Sequence, residues 1–335
     1  MPRPPNLILL WTDEQRTDTL AAYGNRRISM PNLDAFAGQA TVYERAWCTQ
    51  SVCTPARASV MTGLMPHQHG VWPNNRALAA DQRTFAECLP GTYATGHFGK
   101  WHLGDEIFAQ HGFDTWVASE DDYHTHYSPG RDRNARSAYH HFLVGQGYTP
   151  DEAGIFSRGF ACGVPEAHSK PAFLADEAIR FIDRNADRPF CLEVNCLEPH
   201  MPFTGCRNEQ YDPADVDLPD TWRDHPGTDA PWRTRITAAV QQSRRQNGFR
   251  ITDEASMRRC IANYWGLCSL VDHHYARIFR ALERHGLWED SLIIFTSDHG
   301  DQMGAHGLLA KCVHYEDCAR IPMIAKFPGQ REGTR

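Results

Sequence analysis

The stretch Asn6-Leu7-Ile8-Leu9-Leu10-Trp11-Thr12-Asp13-Glu14-Gln15 decides the fold. Its first half is an unbroken apolar run closed by a polar cluster, the pattern of a parallel strand buried on both faces. Carboxylates just past the C-terminal end of such a strand lie where open α/β sheets keep their ligand sites. The arrangement recurs late in the chain, where Ser291 to Ser297 carries Leu292-Ile293-Ile294-Phe295 and runs into Asp298-His299-Gly300. Two such strands side by side would bring Asp13, Glu14, Asp298 and His299 around one cation. Oxygen-rich ligation suits Ca²⁺, Mg²⁺ or Mn²⁺.

Between these strands the pattern alternates. Pro31 opens a helix over Asn32 to Ala40, and a second helix follows Cys53, with Pro55 in its first turn and Gly63 at its end. Leu174 to Arg184 has helical spacing, and Phe190 to Cys196 reads as another core strand. Glu254 to His285 contains a long amphipathic helix with Ile261, Tyr264, Leu267, Leu270 and Val271 near one face. Ile321 to Phe327 reads as a last strand, interrupted by Pro322. Asp114 to Ser169 reads as irregular surface structure able to line a pocket, and Asp212 to Asn247 as charged loop. Strands alternating with helices predict a doubly wound α/β fold, a large mostly parallel sheet with helices on both faces.

Composition bounds the function. A chain of 335 residues that is 41% hydrophobic can bury a large core. A formal charge of −7, with no Lys/Arg block, argues against nucleic acid or an anionic membrane as partner, so an anionic substrate must be held by a few local cations. No stretch has the length of a transmembrane helix, and the apolar run after Met1-Pro2-Arg3-Pro4-Pro5 is too short for a signal-peptide core, so the chain reads as cytoplasmic. Its 11 cysteines show no paired spacing, and most of them read as small buried hydrophobes instead of a disulfide framework.

One cysteine stands apart. Cys53-Thr54-Pro55-Ala56-Arg57 begins a helix, where positive potential favours an oxyanion. Arg57, one turn on, could reach back toward whatever binds at position 53. Gly99-Lys100-Trp101-His102-Leu103-Gly104 sets a lysine and a histidine two apart, on one side of an extended segment, which suits a tetrahedral oxyanion. His200 lies in Glu198-Pro199-His200-Met201-Pro202, and Lys311 closes Gly304-Ala305-His306-Gly307-Leu308-Leu309-Ala310-Lys311.

Together these segments resemble the sulfatases: C-x-P-x-R continued by Thr62-Gly63, then G-K-W-H-L-G, P-H-x-P and a late lysine, in family order from Asn6 to about Gly329. The resemblance implies an alkaline-phosphatase-superfamily fold and one catalytic domain over residues 1–335, its small C-terminal subdomain truncated. It also implies a formylglycine made from Cys53 by a formylglycine-generating system, and hydrolysis of a small-molecule or carbohydrate sulfate ester. Asp13, Glu14, Asp298 and His299 would bind a divalent ion, usually calcium, with Mn²⁺ or Mg²⁺ as alternatives. Lys100 and Lys311 would offset charge on the sulfate, His200 would protonate the departing alcohol, and His102 would act as base. Glu14 and His299 depart from the commoner Asp and Asn, and Ala305 from the usual acidic residue. Two other readings stay open: a phosphonate monoester or phosphodiester hydrolase of the same superfamily, and a non-catalytic metal-binding protein with an unmodified Cys53.

Overall fold

The computed structural model describes residues 3–335; Met1 and Pro2, the start of the proline-rich N-terminus, lie outside them. Strands β1 (Asn6–Asp13), β2 (Thr41–Val42), β3 (Ala94–Gly99), β4 (Thr115–Ala118), β5 (Phe190–Pro199), β6 (Ser291–Ser297) and β7 (Met323–Lys326) form one sheet in the order β2-β7-β6-β1-β5-β3-β4. The five strands from β6 to β4 are parallel; β7 runs antiparallel to β6, and β2 antiparallel to β7.

β1 is central, and its pleat divides its side chains. Ile8 and Leu10 join the main core, whereas Trp11 belongs to a second cluster on the other face with Ala58, Met61, Trp101, Leu103 and Phe113. An apolar run without alternation is therefore what a strand with two buried faces requires. The helices in chain order are α1 (Pro31–Ala37), α2 (Cys53–Thr62), α3 (Pro66–His69), α4 (Ala138–Gly145), α5 (Arg158–Ala161), α6 (Lys170–Asn185), α7 (Trp232–Ser243), α8 (Glu254–Arg284) and α9 (Glu316–Ala319). The main core packs α6 and α8 on one face of the sheet, and the second cluster packs α2 on the other. The expected fold class is the one found, and none of the helices is long and apolar enough to cross a membrane among the described residues.

The register explains how the two acidic strand ends meet. Residues Asn6 to Thr12 pair with Ser291 to Ser297 without a shift, and the Asp298 amide donates to the Thr12 carbonyl at 3.2 Å. Asp13 and Asp298 are thus the next residues on adjacent strands. α8 fixes this end from behind: Tyr275 donates to the Trp11 carbonyl (2.6 Å) and Tyr264 to that of Glu14 (2.7 Å).

Several segments differ from expectation. β3 carries Gly96 and Gly99 and is short of aliphatic residues, so periodicity misses it. Asp114 to Ser169 holds β4, α4 and α5, and Asp212 to Asn247 holds α7. The last strand is shorter than Ile321 to Phe327, and α1 stops at Ala37. The centre of α8 has no solvent stripe: residues 260–272 are all buried, because Arg207 and its loop cover the outer side. All eleven cysteines are free, and Cys191, Cys196, Cys260, Cys268 and Cys318 are buried away from Cys53.

Candidate active site

Cys53 is the first residue of α2, preceded by Val52 in extended conformation, and its helix ends on Gly63 with φ +69°. Its Sγ lies 3.0 Å from Lys311 Nζ, 3.3 Å from His299 Nε2 and 3.7 Å from Asp13 Oδ1. The thiol is buried, yet in polar and charged surroundings. Burial and Asp13 push its pKa up, but Lys100, Lys311 and His299 outweigh them and leave it below the usual thiol value.

Asp13 is the hub. Oδ2 accepts from Arg57 Nη2 at 2.8 Å and from Lys100 Nζ, and Oδ1 lies 3.7 Å from Lys311 Nζ and 3.9 Å from His299 Nε2. Burial alone would raise this carboxyl, but Lys100, His200, Lys311 and Arg57 hold it well below the carboxylate range. Arg57 does not reach back to position 53 as its spacing suggested. Its Nε is 3.1 Å from Asp298 Oδ2, its Nη1 donates to the Lys100 carbonyl (2.8 Å) and to Asn195 Oδ1 (3.1 Å), and its plane lies over Trp11. The Nε contact is an ion pair without hydrogen-bond alignment. The guanidinium is engaged by the Lys100 carbonyl, the Asn195 amide and two carboxylates, so it holds the site together.

Asp13, Cys53, Asp298 and His299 offer donor atoms all within 4.8 Å of one another, and Asp13, Glu14 and His200 form an adjoining group. Glu14, in left-handed conformation at φ +70°, turns its Oε2 toward Lys311 (3.3 Å) and His200 (3.5 Å) and not into the first group. Asp301, which no sequence motif singled out, faces Glu14. Burial, opposed by Lys311 and reinforced by Asp301, pushes Glu14 up to about 8.

The residues present fit a hard divalent cation. Glu14 Oε1 and Asp301 Oδ2 are buried without a hydrogen-bond donor, a cost of about 1–3 kcal/mol each that a cation would offset. The His299 Nδ1 atom bonds the Gly300 carbonyl (2.9 Å), which aims Nε2 at the cluster. Burial opposes protonation there, but Asp298 raises His299 to about 9, so a proton and a divalent ion compete for the same nitrogen.

Lys100 follows Gly99, whose φ is +115° and whose position admits no side chain: a Cβ would stand 1.8 Å from the Asn195 carbonyl oxygen. The segment is not extended beyond this point, since His102 has φ +59°. Lys100 and His102 nevertheless share a neighbour, Tyr123, whose ring stacks on His102 at 4.3 Å with Lys100 Nζ 6.0 Å from its centre. His102 Nε2 meets Asn75 Oδ1 at 2.7 Å, an acceptor, so the proton sits on Nε2 and the buried, unpartnered Nδ1 keeps a lone pair. Burial, with Lys100 and Arg57, holds His102 well below its usual pKa. His200 Nδ1 bonds the Met201 carbonyl (2.7 Å), and burial and Lys311 likewise keep this imidazole neutral.

Sequence reasoning missed Asp301, Asn195, Asn75 and Tyr123: Asn195 sits within the expected strand Phe190 to Cys196 with nothing to mark it as polar site lining, and the other three belong to none of the quoted motifs. A cavity of about 860 Å³, lined by Arg16, Tyr23, Arg26, Arg27 and Trp265 among others, includes none of the candidate catalytic or metal-binding residues. Size and chemistry do not coincide here, and the convergent buried charges are the better guide.

A family model described as Sulfatase matches residues 5–334. The chain is similar to the N-acetylglucosamine-6-O-sulfatase of Bacteroides thetaiotaomicron, with 24% identity over 97% of this chain and 63% of that protein. It is also similar to the choline-sulfatase of Rhizobium meliloti, with 27% identity over 98% of this chain and 64% of that one. Among solved structures, the phosphonate monoester hydrolase of Agrobacterium radiobacter aligns with a TM-score of 0.72 and 25% identity, over 97% of this chain and 68% of that chain. The fold and the matched residues define an α/β protein of the alkaline-phosphatase superfamily. Within it, this chain belongs to the sulfatase family. It spans a little under two thirds of the length of the two curated relatives.

Proposed function

We propose that residues 1–335 carry the catalytic domain of a sulfuric ester hydrolase, acting through formylglycine at position 53 and a divalent cation, Ca²⁺ in the first instance. The observation that carries this is the setting of Cys53 Sγ at a helix start, within 3.0 Å of Lys311, 3.3 Å of His299 and 3.7 Å of Asp13. Sγ stands in for the oxygen of the group that replaces it. Once formed and loaded, formylglycine supplies a hydroxyl nucleophile and the cation supplies Lewis acidity.

The chain's own residues do the rest. Asp13, Asp298 and His299, with Glu14 and Asp301 behind them, would hold the cation; Arg57 keeps the carboxylates of Asp13 and Asp298 in place. Lys100 and Lys311 remain charged and offset the sulfate oxygens as the S–O bond lengthens. His102, neutral with its lone pair on Nδ1, takes there the proton given up by the hydroxyl at position 53. His200 is neutral in the free protein, so its role as acid requires the charge of the bound sulfate ester, which raises the imidazole pKa. Relatives named for N-acetylglucosamine 6-O-sulfate and choline sulfate support a small sulfate ester as substrate.

Phosphonate monoester hydrolysis is the second reading, favoured by the structural likeness to such an enzyme and by His299 in the donor set. Parallel kinetics on protein with confirmed aldehyde, using an aryl sulfate and the matching aryl phosphonate, separates them. The proposal expects the higher kcat/KM for the sulfate; a higher value for the phosphonate overturns it.

A further inference from the structure

Beside the charged cluster stands a cation that none of the steps above uses. Glu120 and Tyr123 follow β4, and Arg158 opens α5. Arg158 Nε donates to Glu120 Oε2 at 2.6 Å and Nη2 to the Tyr123 hydroxyl at 2.7 Å. Glu120 is wholly buried and is shared with Lys170, and Asp122 lies 3.6 Å from Arg158 Nε. These partners take up one edge of the guanidinium. The described residues give Nη1 no hydrogen-bond partner, and the side chain is 21% exposed.

The position matters as much as the free donor. The Arg158 Cζ atom stands 5.5 Å from the centre of the Tyr123 ring, the ring that stacks on His102 and has Lys100 6.0 Å from its centre. Its charge acts on both His102 and His200. One aromatic ring thus neighbours both a cation assigned to the scissile sulfate and a cation held in place with an open edge. Lys100 Nζ and Arg158 Cζ stand 6.0 and 5.5 Å from that one ring centre, so the two cations lie no more than about 11.5 Å apart.

We infer that Arg158, oriented by Glu120 and Tyr123, is a specificity-determining residue that selects sulfate esters whose leaving group carries a second acidic group, a carboxylate or another sulfate. This rests on the reading of the site as a sulfate ester hydrolase and names its substrate class. A neutral leaving group leaves Nη1 to water. An acidic one gains a charge-assisted hydrogen bond in a partly buried setting, enough for a preference of about 10- to 100-fold.

The test uses the full chain with aldehyde confirmed and cation supplied. Two substrate pairs distinguish the acid: N-acetylglucosamine 6-O-sulfate against glucosamine 2-N,6-O-disulfate, and glucose 2-O-sulfate against glucuronate 2-O-sulfate. The expected result is a kcat/KM about tenfold or more higher for the diacidic member of at least one pair, expressed in KM, and falling to within about twofold of unity in Arg158→Gln. Tyr123→Phe, which removes the hydroxyl partner but not the ring, should lower the preference in part, and it serves if Arg158→Gln does not fold. Equal rates within both pairs, or a preference retained in Arg158→Gln or left whole in Tyr123→Phe, overturns the inference. Turnover of an aryl sulfate with none of the four sugars overturns the inference while leaving the hydrolase reading intact; no turnover of any sulfate ester ends both.

Discussion

The carboxylates of Asp13 and Asp298 stand on adjacent parallel strands and are bridged by one side chain, Arg57, with Nη2 2.8 Å from the first and Nε 3.1 Å from the second. All three are fully buried. A guanidinium so placed offsets two charges that would otherwise repel at the floor of the site.

Arg57→Ala should therefore destabilise the protein by about 3–5 kcal/mol, the loss expected when one partner leaves a buried ion pair. Urea denaturation of the metal-free protein measures it. A loss under about 1 kcal/mol would show that the carboxylates do not depend on the guanidinium.

Binding a cation at the same carboxylates should raise the melting temperature, since an ion that binds only the folded state stabilises it by mass action. Calcium added after chelation should restore the wild-type midpoint and leave those of Asp13→Asn and Asp298→Asn unmoved. Manganese in a parallel titration reports whether His299 shifts the preference between the two ions. A calcium-induced rise in both variants would place the ion elsewhere.

Much of this site was legible before any coordinates, for a specific reason. Asp13 and Asp298 each follow an apolar run, and a shared parallel register is enough to set them side by side. Cys53 was legible through Pro55 and Gly63, which mark the two ends of its helix. For Arg57, helical spacing gives its direction but not the two carboxylates that hold it. Lys100 and His102 come together through a left-handed residue, which strand alternation does not predict. β3 escaped notice because close approach to Asn195 demands glycine where a strand signal would need a β-branched residue.

Gly99→Ala should show how tightly that crossing is drawn. The new methyl would meet the Asn195 carbonyl at 1.8 Å, at a φ of +115° that alanine does not favour. A loss of at least about 3 kcal/mol, or failure to fold, is expected by denaturation. A variant within about 1 kcal/mol of wild type would mean that β3 and β5 can separate.

The wall behind Tyr123 should be sensitive to acid. Burial alone would raise Glu120, but Arg158 and Lys170 hold it down at about 2. A carboxyl with a lowered folded-state pKa stabilises the protein above its unfolded value of 4.5 and loses that contribution as pH falls from there toward 2. Glu120→Gln should cost about 3–5 kcal/mol at pH 7, and its difference from wild type should narrow below pH 4.5. A difference that stays constant from pH 7 to 3.5 would remove the ion pair as its cause.

The mass of the Cys53 peptide tests the account most directly. Protein made together with a formylglycine-generating system should yield a peptide about 18 Da lighter than the thiol form, the difference between that thiol and an aldehyde. Sulfate ester hydrolysis should rise in proportion to the converted fraction. A peptide that always keeps the thiol mass, or hydrolysis that does not follow conversion, would contradict the claim that position 53 supplies the nucleophile.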